Sequence, residues 1–227
     1  MPSISENISI VRAQITKTAH EYHRDENSIR LLAVSKKQSI DKLKEAYAAG
    51  QREFGENYVQ EAVEKINSFK MPDLVWHFIG PIQSNKTAII AAHFDWVHSL
   101  DRIKIAERLS AQRSSAMGSL KVCIQVNLSG ESTKSGVALT QVEQLCAQVH
   151  KLPHLELRGL MAIPAPSDSF EEQSLIFQPL SLLFKQLQNS YPQMDTLSIG
   201  MSADFSAAIA QGSTLIRIGT AIFGSRD

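Results

Sequence analysis

Cys123 and Cys146 are the chain's two cysteines, too few for a disulfide scaffold and placed at no metal or redox spacing. They read as reduced, packed thiols. Charge of one sign is lacking too, with 23 basic and 23 acidic side chains. That balance removes the field that drives non-specific binding to nucleic acid or to an anionic membrane. It does not exclude one phosphorylated small molecule held in a local pocket. No run approaches the ~18 unbroken apolar residues of a membrane span. The opening MPSISENISIVRAQITK has no apolar stretch of signal-peptide length, so the expected location is the cytoplasm. Glycine and proline, 11 and 8 residues, are too few for a collagen-like or low-complexity chain. No Pro-, Gly- or Ser-rich linker divides the sequence, and one domain over residues 1–227 is expected.

What is present is an alternation. Ile8 to His23 has apolar residues at helical spacing, and Ile29 to Val34 is an apolar run of the kind a strand buried on both faces shows. Further strands are expected at Arg52–Gly55, Leu74–Ile79, Trp96–Ser99, Leu120–Leu128, Leu155–Ile163, Thr196–Ile199 and Leu215–Ile218. Helices are expected at Ile40–Ala49, Tyr58–Phe69, Lys86–His93, Ile103–Ala116, Thr140–Lys151, Phe170–Asn189 and Asp204–Gln211. Strands alternating with helices mean a parallel sheet with helical crossovers. Eight of them in a chain of this length fit a closed (β/α)8 TIM barrel, with a doubly wound open sheet as the competitor.

In such a barrel, function sits at the carboxyl ends of the strands. Lys36 follows Leu31-Leu32-Ala33-Val34, which aims its stem into the mouth. An amine beside apolar walls is desolvated, which suits a Schiff-base lysine, although a solvated rim lysine fits the same position. After the last two strands come Gly200-Met201-Ser202 and Gly219-Thr220. Barrels often bind phosphate with these loops and a helix N-terminus. Ser202 is placed to cap the helix starting near Asp204, Gly219 permits close approach of the backbone, and Thr220 adds a hydroxyl. A plain cap and a plain turn are the alternative. Together, a lysine on strand one and a phosphate cup after strands seven and eight suggest an aldehyde-bearing phosphate ester held at both ends. The seven histidines form no HExxH, and Pro153 breaks the helix between His150 and His154, so no metal site is expected. GESTKSG, Gly130 to Gly136, lacks the Gly-Lys-Ser/Thr ending of a phosphate loop.

AVSK (Ala33–Lys36), FGENYVQE (Phe54–Glu61), WHFIGPIQSNK (Trp76–Lys86), KSG (Lys134–Gly136), GLMAIP (Gly159–Pro164), LSIGMSADFSAAI (Leu197–Ile209) and RIGTAIFG (Arg217–Gly224) resemble the YggS/PROSC family of pyridoxal phosphate homeostasis proteins. The resemblance runs from Ile29 to Arg226 and is weakest in the N-terminal helix and at Ser110–Ser119. It implies a barrel like the N-terminal domain of alanine racemase. It implies pyridoxal 5′-phosphate as a Schiff base on Lys36, its phosphate held by Ser202, Gly219 and Thr220. It implies Arg217 facing the pyridine nitrogen, with Asn57 and Met201 beside the ring.

The family behaves as a cofactor carrier and regulator, with apo pyridoxal-phosphate enzymes as recipients, and a monomer is expected. Racemases of this fold carry a second, β-rich domain that supplies a catalytic tyrosine, for which this chain leaves no room. A small racemase using Lys36 alone, and an aldolase or isomerase acting on a sugar phosphate, are the competing readings. Lys134, in the loop after the fifth strand, is expected at the mouth as a second amine or phosphate contact that aids entry and release.

Overall fold

The computed structural model describes residues 2–129 and 135–224. Nine parallel strands are β1 (Arg30–Val34), β2 (Glu53–Glu56), β3 (Val75–Phe78), β4 (Trp96–Leu100), β5 (Leu120–Asn127), β6 (Val137–Ala138), β7 (Leu155–Ala162), β8 (Thr196–Ser198) and β9 (Leu215–Ile218). Their spatial order is β4-β3-β2-β1-β9-β8-β7-β5-β6, and β4 also pairs with β5. That last pairing closes eight strands into a barrel, so the open sheet is excluded. The two-residue β6 pairs with β5 at Val126 and Asn127, above the last β4 pair at Leu100↔Ile124. The helices are α1 (Ile4–Glu21), α2 (Ile40–Ala48), α3 (Val59–Ser68), α4 (Thr87–His93), α5 (Ile103–Gln112), α6 (Val142–Val149), α7 (Phe170–Ser190), α8 (Phe205–Ala210) and α9 (Thr220–Phe223). Each of the eight barrel strands is followed by a helix, and α1 stands before the first.

Helix α1 starts at Ile4 rather than Ile8. Ser3 accepts from the Glu6 N–H, and Glu6 accepts from the Ser3 N–H, a reciprocal cap that extends the helix by a turn. Ile4, Ile8, Val11, Ile15 and Ala19 form its buried stripe, packed across α2, α8 and α9. Helix α5 stops at Gln112 rather than Ala116. There Arg113 turns to extended backbone and its buried guanidinium donates to Ala91 O and Phe94 O, both at 2.7 Å, and to Gly118 O. Satisfying those carbonyls at the end of α4 is worth more than one further turn of α5.

The main apolar core lies between barrel and helices, where Phe54, Phe78, Phe94, Leu109 and Phe177 are fully buried. The barrel interior is different. Branched aliphatic layers usually fill it. Here alternation along the strands turns Arg30, Glu53, His77, Trp96, His98, Lys121, Arg158, Thr196, Ser198 and Arg217 inward. Contacts across the lumen fix that reading: Arg30, Lys121 and Arg158 lie over the Trp96 ring at 4.8, 5.5 and 5.3 Å from its centroid. Cys123 belongs to the same inner layer and Cys146 to α6. Both are free and buried, and burial pushes both thiols up to about 12.

Two outcomes are expected. A Cβ at Gly159 would lie 1.6 Å from Thr196 O, on the backbone of the neighbouring strand. Gly159→Ala should therefore cost about 3 kcal/mol or more, read as a lower urea midpoint at constant slope. Burial also lowers the pKa of His77 and pushes that of His98 well down. Stability should be flat above the unfolded histidine value of about 6.5 and fall as pH drops below it, because the unfolded chain then binds protons the folded chain excludes. Urea unfolding at stepped pH should show that slope, reduced in His98→Asn; a flat profile would contradict it.

Candidate functional site

Strands β2, β1, β9 and β8 are consecutive neighbours, so their carboxyl ends form one continuous arc of the mouth. Lys36 stands on that arc in the turn closed by Gln38 N–H donating to Ser35 O at 3.1 Å. Its neighbours are pinned from three sides. The Ser35 N–H donates to Gly55 O, and its hydroxyl donates to Glu56 Oε1 at 2.6 Å. The Lys65 ammonium, on α3 and buried, donates to Ser35 O, Glu56 Oε1 and Glu61 Oε1 at 2.7, 2.8 and 2.6 Å. The Lys37 N–H donates to Glu61 Oε1 at 2.5 Å, holding Lys37 in the left-handed region at φ 59°. A non-glycine residue there costs on the order of 1 kcal/mol, so the clamp determines the shape of the turn. Burial raises the Glu56 pKa, against the opposing pull of Lys65.

Sequence reading did not find this clamp. Glu61 and Lys65, at i and i+4 on α3, have a spacing that also suits an exposed helix face; only the fold reveals that they face the underside of the lysine turn.

After β8, Ser202 does not cap the following helix. Helix α8 begins at Phe205, its N-cap is Asp204, and Ser202 sits exposed in the preceding turn. The Asp204 carboxylate turns back to accept from the Met201 N–H at 2.6 Å, while Met201 O accepts from the Asp204 and Phe205 N–H groups. That bracket, rather than a Ser202 cap, shapes the loop and leaves the Ser202 hydroxyl to the mouth. After β9, Gly219 is the N-cap of α9 and Thr220 its first residue, exposed. Ile222 and Phe223 donate to Gly219 O. Ahead of those bonds, the Thr220 and Ala221 N–H groups have no carbonyl of their own helix to donate to.

Arg217 lies below this rim, 3% exposed. Its Nη1 donates to Ser198 O at 2.5 Å and Ser198 Oγ at 2.8 Å, and its Nη2 to Ala162 O at 2.9 Å. Those carbonyls end β8 and β7, so the guanidinium faces the mouth end of the barrel. Burial lowers its pKa to about 10, which still leaves it a cation at neutral pH. Beneath it, Ser198 Oγ is 2.9 Å from His98 Nδ1, and His98 Nε2 is 2.9 Å from His77 Nδ1. His77 Nε2 stands 3.2 Å from Glu53 Oε2, outside hydrogen-bond alignment.

Asn57 follows β2 at the same rim, and among the described residues its buried Oδ1 finds no hydrogen-bond partner. Beside it a cavity of about 420 Å³ is lined by Asn57, Tyr58, Phe78, Pro81, Gln83 and Lys86. The structure therefore brings Lys36, Asn57, Met201, Ser202, Arg217, Gly219 and Thr220 to one end of the barrel. Lys134 lies outside the described residues.

The sequence matches the family described as "Alanine racemase, N-terminal domain" over residues 7–227. It is 52% identical over 231 residues to the "Pyridoxal phosphate homeostasis protein" of Vibrio alginolyticus, covering 100% of this chain and 99% of that protein. It is 50% identical over 230 residues to the protein of that name from Escherichia coli, covering 100% and 98%. Among solved structures, PipY of Synechococcus elongatus with PLP bound superposes at a TM-score of 0.85 and 37% identity, covering 98% of this chain and 100% of that one. Alanine racemase from Corynebacterium glutamicum shares the fold at a TM-score of 0.73 and 16% identity, aligned over 98% of this chain and 60% of the racemase. A lysine-tipped, eight-stranded barrel with this likeness over its whole length belongs to the family of pyridoxal phosphate homeostasis proteins.

Proposed function

We propose that this chain binds pyridoxal 5′-phosphate as a Schiff base on Lys36 and carries or buffers it within cellular cofactor homeostasis, with little turnover of its own. The observation that carries the reading is the single arc of strand ends: the amine-bearing turn after β1 beside the hydroxyl- and amide-bearing turns after β8 and β9. An aldehyde and a phosphate on one small ligand need those two kinds of group on neighbouring strands.

The residues present fit the group. Thr220, Ser202 and the Gly219 backbone offer donors to a phosphate, and the uncapped first turn of α9 adds N–H groups. The Asn57 amide, with an unpartnered oxygen, and the Met201 side chain flank the ring. Bound there, the cofactor supplies an aldehyde for imine formation and an electron-withdrawing ring. Arg217, a lasting cation facing the ring nitrogen, disfavours protonation of that nitrogen and so weakens the ring as an electron sink. That favours a carrier over an efficient racemase. The chain acts as one domain over residues 1–227 and a cytoplasmic monomer, hands its cargo to apo enzymes that use the same cofactor, and uses Lys134 to ease entry and release.

Two experiments test this reading. Borohydride reduction of the loaded protein should fix the cofactor to the peptide carrying Lys36, and Lys36→Ala should lose the visible band while the protein stays folded. A label on Lys37 or Lys134 would sink the assignment. Thr220→Val should weaken cofactor retention about tenfold or more, because a charge-assisted hydrogen bond to phosphate contributes roughly 1.5–3 kcal/mol. Equal retention by both proteins in equilibrium dialysis would count against the phosphate cup.

A further inference from the structure

The polar file below Arg217 favours one assignment of protons. Arginine only donates, and an ionised carboxylate only accepts. Burial raises the Glu53 carboxyl pKa, but His77, Arg30 and Lys121 outweigh it and hold the group below its ordinary value. The two ends of the file therefore have opposite, fixed roles. Ser198 Oγ takes a hydrogen bond from Arg217 Nη1, so its single hydrogen is available to His98 Nδ1. With Nδ1 accepting, neutral His98 carries its proton on Nε2 and donates to His77 Nδ1. His77 then carries its proton on Nε2, facing the Glu53 carboxylate at 3.2 Å. The reverse direction would leave the Ser198 hydrogen without an acceptor and turn a bare His77 Nε2 towards the Glu53 carboxylate.

The file also spans the barrel in both senses. Glu53 is the first residue of β2, at the floor, whereas Ser198 is the last of β8 and Arg217 reaches the carbonyls that end β7 and β8. Strands β4 and β8 are not neighbours, so the His98–Ser198 bond crosses the lumen. His77, His98 and Ser198 are all 0% exposed, so bulk water does not reach the file. His77 stacks on Trp96 at 5.4 Å, which sets its ring plane.

We infer that Ser198, His98 and His77 form a one-way hydrogen-bond relay, running from the mouth to the Glu53 carboxylate at the floor, that positions Arg217 against the cofactor ring. The inference rests on the proposed cofactor reading and extends it to residues that touch neither cofactor nor lysine. In this role Ser198 and the two histidines are positioning residues: they set where the cation stands, and through it the electronic state of the ring.

The test is the visible absorption of the protein loaded with pyridoxal phosphate, in wild type and in Ser198→Ala, Ser198→Thr, His98→Asn and Arg217→Lys. Ser198→Ala removes the hydroxyl and leaves the Ser198 carbonyl as an Arg217 acceptor, so the fold should hold. Its band should shift in the same direction as that of Arg217→Lys, with cofactor retention roughly three- to tenfold weaker. Ser198→Thr restores a hydroxyl and should return the band towards wild type. His98→Asn retains an acceptor for Ser198 and should shift the band less than Ser198→Ala does.

A band moved by Arg217→Lys but unmoved by Ser198→Ala would overturn the relay alone. A band unmoved by both would overturn the placement of Arg217 at the ring, and the relay with it. Wild type that takes up cofactor without a visible band would overturn the Schiff-base reading and this inference together.

Discussion

A guanidinium buried under the mouth of a barrel is the constraint from which much of this molecule follows. An isolated charge cannot be carried into such a site without acceptors for its donors and compensation for its lost hydration. The ends of β7 and β8 supply carbonyls, Ser198 supplies a hydroxyl, and Asp204 in the mouth supplies the opposing charge that Arg217 feels most strongly. Once Arg217 is fixed, Ser198 must be hydroxylated, its hydroxyl needs an acceptor, and His98 stands opposite to provide one. The interior polarity is thus connected to its neighbours from the top down and closes on Glu53, which is itself compensated by Arg30 and Lys121. Replacing the middle of this file by aliphatic layers would leave the cation short of a partner.

That polar interior changes where the stability comes from. The apolar layer between strands and helices, built on phenylalanines such as Phe54, Phe78, Phe94 and Phe177, holds the barrel closed, with the α1 stripe sealing α2, α8 and α9. The lumen instead carries three cations over the Trp96 ring, with Glu53 set against Arg30 and Asp195 against Arg158. The division suits a binding protein, because substitutions in the lumen act on the site while the outer layer keeps the fold.

Much of this was legible beforehand, and what was not has physical causes. All eight strands were readable because strands of a parallel barrel are short apolar runs, and Leu215–Ile218 came out with its observed bounds. The strand ends pointed to Lys36, Gly219 and Thr220 because chemistry collects there. The Ser202 cap was not borne out, since the Asp204 and Phe205 N–H groups that it would take donate instead to Met201 O. The relay was invisible because His98 and Ser198 are 100 positions apart and meet only across the lumen. His77 and His98 each interrupt an apolar run, and that interruption was the one available signal; Glu53, between Arg52 and Phe54, interrupts none. Lys65 gave none, since a buried lysine on a helix looks like an exposed one until its partners are known.

In the proposed reading, the two devices at the mouth act on opposite ends of the same ligand. The Lys65 clamp grips the backbone on both sides of Lys36, so the amine's freedom is confined to its own four-carbon stem. The relay grips Arg217 from below, so the cation cannot follow the ring if the ring moves. A ligand seated between them finds a rigid base at its ring nitrogen and a rigid anchor point at its aldehyde. The groups proposed for its phosphate are different: the hydroxyls of Ser202 and Thr220 stand exposed on short turns. Pre-organisation at the buried end gives specificity for the ring without depending on those exposed contacts. In the proposed reading the exposed end is where water competes for the phosphate, so exchange of the cargo would begin at Ser202 and Thr220, with Arg217 and its relay staying in place through loading and release.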